Sequence, residues 1–254
     1  MDDPQVEVHT AAWSAFDVFV KSVSKDELEP LVVPLRRTLE STGAPGRTVP
    51  GLDLPKGASP FVSIIIAGLT TGSNEQREQA AYAIGDLVER TSESAIKPFV
   101  VPFTGPLIRV ATQATTYPPA VKTGILSALT TMLEIIPAFV KPFFPQLQRT
   151  FVKSTSDPAS AGVRAKAGQA LGVLMKHQPR VDPVITELVA GVKTSPDSSI
   201  ATSFILALGQ VITSGGANVG EKAKEAVVEV VADAFRDSHS GAFSYLFSRV
   251  GLFY

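Results

Sequence analysis

An all-α array of stacked antiparallel helix pairs, an α-solenoid, is the fold class this sequence predicts. Three observations carry it: a small-apolar helical step that returns at a regular interval, a proline-bearing step interleaved with it, and a helix whose side chains suit close stacking. The step reads Ala83-Ile84-Gly85, Ala128-Leu129-Thr130, Ala170-Leu171-Gly172 and Ala207-Leu208-Gly209, at intervals of roughly forty residues, the range of helical repeats. Six positions before each alanine stand Arg77, Lys122, Arg164 and Ala201, so a cation recurs at one equivalent place. The interleaved step reads Lys97-Pro98-Phe99, Lys141-Pro142-Phe143 and Asp182-Pro183-Val184, each expected to open a helix, because proline is tolerated in a first turn.

From Asp157 to Met175 the third observation is plain. Val163, Ala167, Ala170, Leu171 and Leu174 recur at three- and four-residue steps after an Asp-Pro start, which predicts a helix with a narrow apolar stripe. Ala167, Gly168, Ala170 and Gly172 leave little to hold backbones apart, so this helix lies close against its neighbours. Each proline-bearing helix and its alanine-rich successor form a pair too small to bury its own apolar face, and stability comes from stacking on the next pair. The arrangement resembles the HEAT repeat, whose second helix often carries an Asp followed by Val-Arg, as Asp157, Val163 and Arg164 do here.

In chain order, residues 1–41 are expected to hold the N-terminal helices of the array, 42–59 a Gly/Pro-rich loop, 60–237 the regular repeats, and 238–254 an atypical or truncated end. A first helix beginning at Asp3-Pro4 places Trp13, Phe16, Phe19, Val20 and Val23 on one face. Ser24 to Glu27 reads as a capping box opening a second helix with Leu28, Leu31, Val32, Leu35 and Leu39 inward. Pro34 predicts a kink or an interruption there. No period survives between Thr42 and Ser59, although Leu52 and Leu54 suggest a stretch pinned to the surface. His239 to Tyr254 is aromatic and apolar with almost no charge, unlike the polar cap that ends a solenoid, which reads as a chain cut from a longer protein.

Composition narrows the function classes. Cysteine is absent, excluding disulfides and thiolate metal sites. The acidic start and the lack of an apolar run of spanning length, with Phe61 to Leu69 the nearest, predict a cytoplasmic protein without membrane contact. His9, His177 and His239 lack carboxylates at ligand spacing. Lys122-Thr123-Gly124 lacks the companion motifs of a β-lactamase, and Gly215-Gly216 to Gly220 lacks the lysine of a phosphate loop. No catalytic residue, metal, cofactor or small-molecule substrate is expected.

Charge is neutral overall but uneven. From Lys97 to Ser156 the cations are Lys97, Arg109, Lys122, Lys141, Arg149 and Lys153, and the acid is Glu134; such asymmetry steers and orients an acidic partner. Arg109, Lys122, Lys141 and Arg149 are the candidate partner-binding residues, contributed by consecutive helices, with Phe143 as supporting packing. Arg164, aligned with Arg77 and Lys122, is assigned to a polar ladder between repeats. The same basic stripe offers an alternative, contact with the ribosome or RNA, for which Tyr117 is the main aromatic available for base stacking.

A family resemblance sharpens this. Val49-Pro50-Gly51-Leu52-Asp53-Leu54-Pro55-Lys56-Gly57, Gly105-Pro106-Leu107-Ile108-Arg109, Lys141-Pro142-Phe143-Phe144-Pro145-Gln146-Leu147-Gln148 and the run from Val163 to Gly172 resemble the ribosome-associated translational activator of the amino-acid-starvation kinase, the general control non-derepressible one family. The resemblance extends from about Leu31 to Val192. It implies a late HEAT segment of a much longer scaffold that binds RWD domains. Its implied partners are the N-terminal RWD domain of the kinase of the initiation factor two alpha subunit, competing RWD-domain proteins, and the ribosome through the full-length protein.

Overall fold

The computed structural model describes residues 3–42, 48–113 and 116–237. Among these residues every regular element is helical. They fall into two compact units, the first ending at Phe143 and the second beginning at Phe144. The aromatic end at 238–254 lies outside the described residues.

The first unit contains α1 (Val6–Ser22), α2 (Lys25–Leu28), α3 (Val32–Ser41), α4 (Ser59–Thr70), α5 (Asn74–Glu89), α6 (Glu93–Ile96), α7 (Val100–Thr112), α8 (Pro119–Ile135) and α9 (Pro137–Val140). Two layers form: α4 against α7, and α3, α5 and α8 in succession, with α1 and α2 packed on α4. The second unit contains α10 (Phe144–Ser154), α11 (Ala161–Met175), α12 (Asp182–Thr194), α13 (Ser198–Gly215) and α14 (Glu221–Asp237). Here α10, α12 and α14 make one layer and α11 and α13 the other.

The recurring small-apolar step marks the tightly packed layer. Ala83, Ile84, Ala128, Leu129, Ala170, Leu171, Ala207 and Leu208 are all buried, on α5, α8, α11 and α13. Small side chains are demanded where these helices touch. A methyl at Gly124 of α8 would sit 3.3 Å from the Glu78 carbonyl of α5; one at Gly168 of α11 would sit 3.2 Å from the Ala207 Cα of α13, and one at Gly172 3.1 Å from the Gln210 carbonyl. The second layer supplies bulk instead: Phe103 and Leu107 of α7 and Leu147 and Phe151 of α10 are fully buried, each stabilising by roughly 2 kcal/mol through removal from water.

Several expectations need correction. Lys97-Pro98-Phe99 and Lys141-Pro142-Phe143 do not open helices; each is a 3-10 turn between a one-turn helix and the next long one, as is Glu29–Leu31. The cause lies four residues on. Pro34, Pro102 and Pro145 lack the N–H that would bond the carbonyls of Pro30, Pro98 and Lys141, and the tighter turn occupies that missing rung. Pro183 does stand in the first turn of its helix. Asp157-Pro158 does not open α11 either: the Asp157 carboxylate accepts from the N–H groups of Ala159 and Ser160, and Ser160 is the N-cap. Nor is the apolar surface of α11 a narrow stripe, since ten of its fifteen residues, Val163 and Met175 included, are buried. Ser198–Asn218 is also long and apolar enough to cross a membrane, a run the composition reading passed over; α13 packs on α11 and α12.

Residues 48–58, ahead of α4, are pinned rather than free. Val49 and Leu52 are buried, while Leu54 is only partly so. The Val49 N–H donates to the Arg90 carbonyl at 2.8 Å, the Ser92 N–H donates to the Asp53 carboxylate at 2.7 Å, and the Trp13 indole donates to the Gly57 carbonyl at 3.1 Å. Gly57 has no room for a side chain, since a methyl there would stand 2.4 Å from the Gly51 carbonyl. Arg90 is buried and donates to the carbonyls of Thr42 at 3.2 Å and Asp86 at 3.0 Å. Burial holds the Asp86 carboxyl above its ordinary range although Arg36 and Arg90 pull it down.

The close approach of α11 and α13 sets a stability test. Gly168→Leu is expected to cost about 3 kcal/mol, since two backbones would have to part. Gly162→Ala, where a methyl meets only the Ser160 hydroxyl at 3.6 Å, is expected to be neutral or stabilising by about 0.5 kcal/mol. Urea denaturation of both variants measures the difference.

Candidate functional site

The recurring cations divide into two chemical classes. Arg77, near the start of α5, donates to the carbonyls of Leu69 and Thr70 at 2.6 and 2.7 Å, satisfying carbonyls that the end of α4 leaves without helical partners. Arg164, at the equivalent place on α11, is 5% exposed. It donates to the Asp157 carbonyl at 2.9 Å, to the Ser203 hydroxyl at 2.8 Å and to the Ser199 hydroxyl at 2.5 Å, tying the preceding turn to α13. Arg164 is thus a rung between repeats, while the hydrogen bonds of Arg77 tie α5 to α4 within one helix pair. Lys122, at the equivalent place on α8, is 8% exposed, so little of it is open to a partner, and its place as a partner-binding candidate is corrected. Sequence spacing had already put it in register with Arg77 and Arg164, and that register was the better guide.

The second class faces outward. Arg109 on α7 and Lys141 on the 3-10 turn after α9 are exposed in the first unit, and Arg149 on α10 is exposed in the second. Among the described residues none of the three forms an ion pair with a carboxylate. Lys97, which the candidate list had left out, joins the first unit's surface with its ammonium 5.3 Å from the centre of the Phe139 ring. Exposure of Arg109 follows from the period of α7, whose buried positions are Val100, Phe103, Thr104, Leu107, Val110 and Ala111. Arg109 stands on the opposite face, in line with Val101 and Gly105. Phe143 is half-buried; the ring that enters the core at this bend is Phe144, because the 3-10 turn shifts the buried position by one residue.

Tyr117 is half-buried, with a cation over one face of its ring. The Arg77 guanidinium lies 5.1 Å from its centroid, and its hydroxyl lies 3.3 Å from the Gln113 side-chain oxygen. Among the described residues, no group of three or more His, Asp or Glu side chains is placed to hold a metal ion. Gly216–Asn218 forms a 3-10 turn, and the Gly220 N–H donates to the Asp182 carboxylate at 2.9 Å, which ties the start of α14 to α12. No lysine stands in it.

With this geometry in hand, similarity to known proteins is decisive. The family described as stalled ribosome sensor GCN1-like, HEAT repeats, matches residues 1–56. The eIF-2-alpha kinase activator GCN1 of Saccharomyces cerevisiae is 41% identical over 239 residues, 94% of this chain. The chain is a GCN1-family HEAT-repeat segment. The stalled ribosome sensor GCN1 of Homo sapiens is 35% identical over 223 residues, 87% of the chain, and the Dictyostelium discoideum GCN1 is 37% identical over 201 residues, 78% of it. The chain spans only 9%, 8% and 7% of these three relatives. Two engineered proteins of solved structure share the fold at 18% and 17% identity, with TM-scores of 0.53 and 0.54. They cover 93% and 96% of this chain, which covers 94% and 58% of theirs. The GCN1 segment is thus an all-α HEAT-repeat fold.

The buried cation is the one whose loss should be felt in stability. Arg164→Ala is expected to cost about 2–4 kcal/mol, because two hydroxyls and a carbonyl lose a charged donor. Arg164→Lys should cost less but still over about 1 kcal/mol, since one ammonium cannot span the three acceptors of the guanidinium fork. Chemical denaturation of the two variants reads both values.

Proposed function

We propose that this GCN1 segment is a non-catalytic docking platform for RWD domains. Its foremost partner is the N-terminal RWD domain of the kinase of the initiation factor two alpha subunit, whose activation on ribosomes in amino-acid starvation it promotes in the cytoplasm. The observation that carries the reading is the separation of cations: Arg77 and Arg164 are engaged within the fold, while among the described residues Arg109, Lys141 and Arg149 are exposed without carboxylate partners. A helical framework that holds unpaired cations at fixed places suits an acidic-faced domain. The names of the relatives, kinase activator and stalled ribosome sensor, agree with a role in translational control through partners. The fold supports scaffolding rather than catalysis.

Contact with ribosomal RNA is the weaker reading. Phosphate binding draws on the same cations, but Tyr117, the main aromatic for base stacking, is half-buried and has one face occupied by Arg77.

Calorimetry with the kinase's RWD domain tests the proposal. Arg109→Ala is expected to weaken binding by about tenfold, or roughly 1.4 kcal/mol, with an unchanged melting temperature. Lys141→Ala should weaken it by less than about fivefold, as an exposed lysine contributes about 1 kcal/mol at most. An unaltered dissociation constant for Arg109→Ala removes that residue from the site.

A further inference from the structure

The outer face of α7 carries a feature that neither packing nor helix stability requires. Val101 is 63% exposed, Pro102 beside it is exposed, and Gly105 and Ile108 are partly exposed. Val101, Gly105 and Arg109 fall on one four-residue ridge, with Pro102 and Thr112 alongside. A methyl built on Gly105 meets nothing within 4 Å, so no neighbour in the fold demands a glycine there. In a helix interior it is unfavourable relative to alanine. Val33, Val101 and Phe144 precede first-turn prolines while carrying side chains, whereas Gly105 precedes Pro106 inside α7.

We propose that this face is a seat for an acidic amphipathic helix, with Gly105 as the notch where the partner's backbone comes closest. The notch stands in the middle of the ridge, flanked by Val101 and Arg109, so a ridge of a second helix can lie in it. Lys97 marks one end and Arg109 the other, and no acid occurs between Lys97 and Gln113. Lys97 and Arg109 are twelve residues apart, roughly 18–20 Å along the axis, so the partner helix carries carboxylates about three turns apart. A nucleic acid fits poorly, since Val101 and Pro102 in the middle offer nothing to phosphate. The proposal rests on the reading that an RWD domain supplies the acidic element.

The test uses the full chain with the kinase's RWD domain and, separately, a single-stranded RNA twenty-mer. Gly105→Gln fills the notch, and Val101→Glu sets a carboxylate on an exposed position that cannot disturb the core. Each is expected to lower RWD affinity at least tenfold with a melting temperature within about two degrees of the parent chain. RWD binding unchanged in both variants overturns the seat, while the docking reading survives if Arg109→Ala still weakens it. Failure of the parent chain to bind the RWD domain overturns both. A loss confined to RNA binding also overturns the seat and assigns the face to nucleic acid.

Discussion

Close approach of backbones in one helical layer is the constraint on which this fold depends. Where α5 meets α8 and α11 meets α13, glycines and alanines bring main chains within contact of one another. Side chains of ordinary size are relegated to the second layer, where Phe103, Leu107, Leu147 and Phe151 fill the space. The division explains a sequence in which alanine and glycine recur on one helix and leucine or phenylalanine on the next. It also leaves few atoms in the tight layer to satisfy helix ends. The long arginine side chains do that instead, reaching back to carbonyls at the end of the preceding helix or turn and, through Arg164, across to the next helix.

Those arginines give the surface its meaning. The cations six positions before the small-apolar alanine, Arg77 and Arg164, belong to the framework, since each satisfies carbonyls of the preceding helix or turn. Arg109, Lys141 and Arg149 stand outside that register and are exposed, Lys141 although it recurs with Lys97 in the proline-bearing step. Lys122 shows how the distinction is missed: it lies in the basic stretch yet keeps the repeat register, and it is buried.

Much of the architecture was legible because it is periodic. The four small-apolar steps, the capping box at Ser24 and Glu27 and the break near Pro34 all follow from local rules. Three things were not. The 3-10 turns at Lys97 and Lys141 arise from Pro102 and Pro145, five and four residues downstream, and a reading that looks for proline at helix starts places the boundary too early. Burial of Lys122 and the half-burial of Phe143 depend on which side of a helix meets its neighbour after such a turn. The role of Arg90 has no sequence signal, since its acceptors, the carbonyls of Thr42 and Asp86, belong to backbone that any residue would provide.

The anchored stretch from Val49 to Ala58 has one more implication. A connection between helices ordinarily absorbs changes of length, but here Trp13, Arg90 and Ser92 each fix a different point along it. Adding or deleting a single residue would break the register of at least one of these ties. The segment is a strut of set length even though its composition looks like that of a tether.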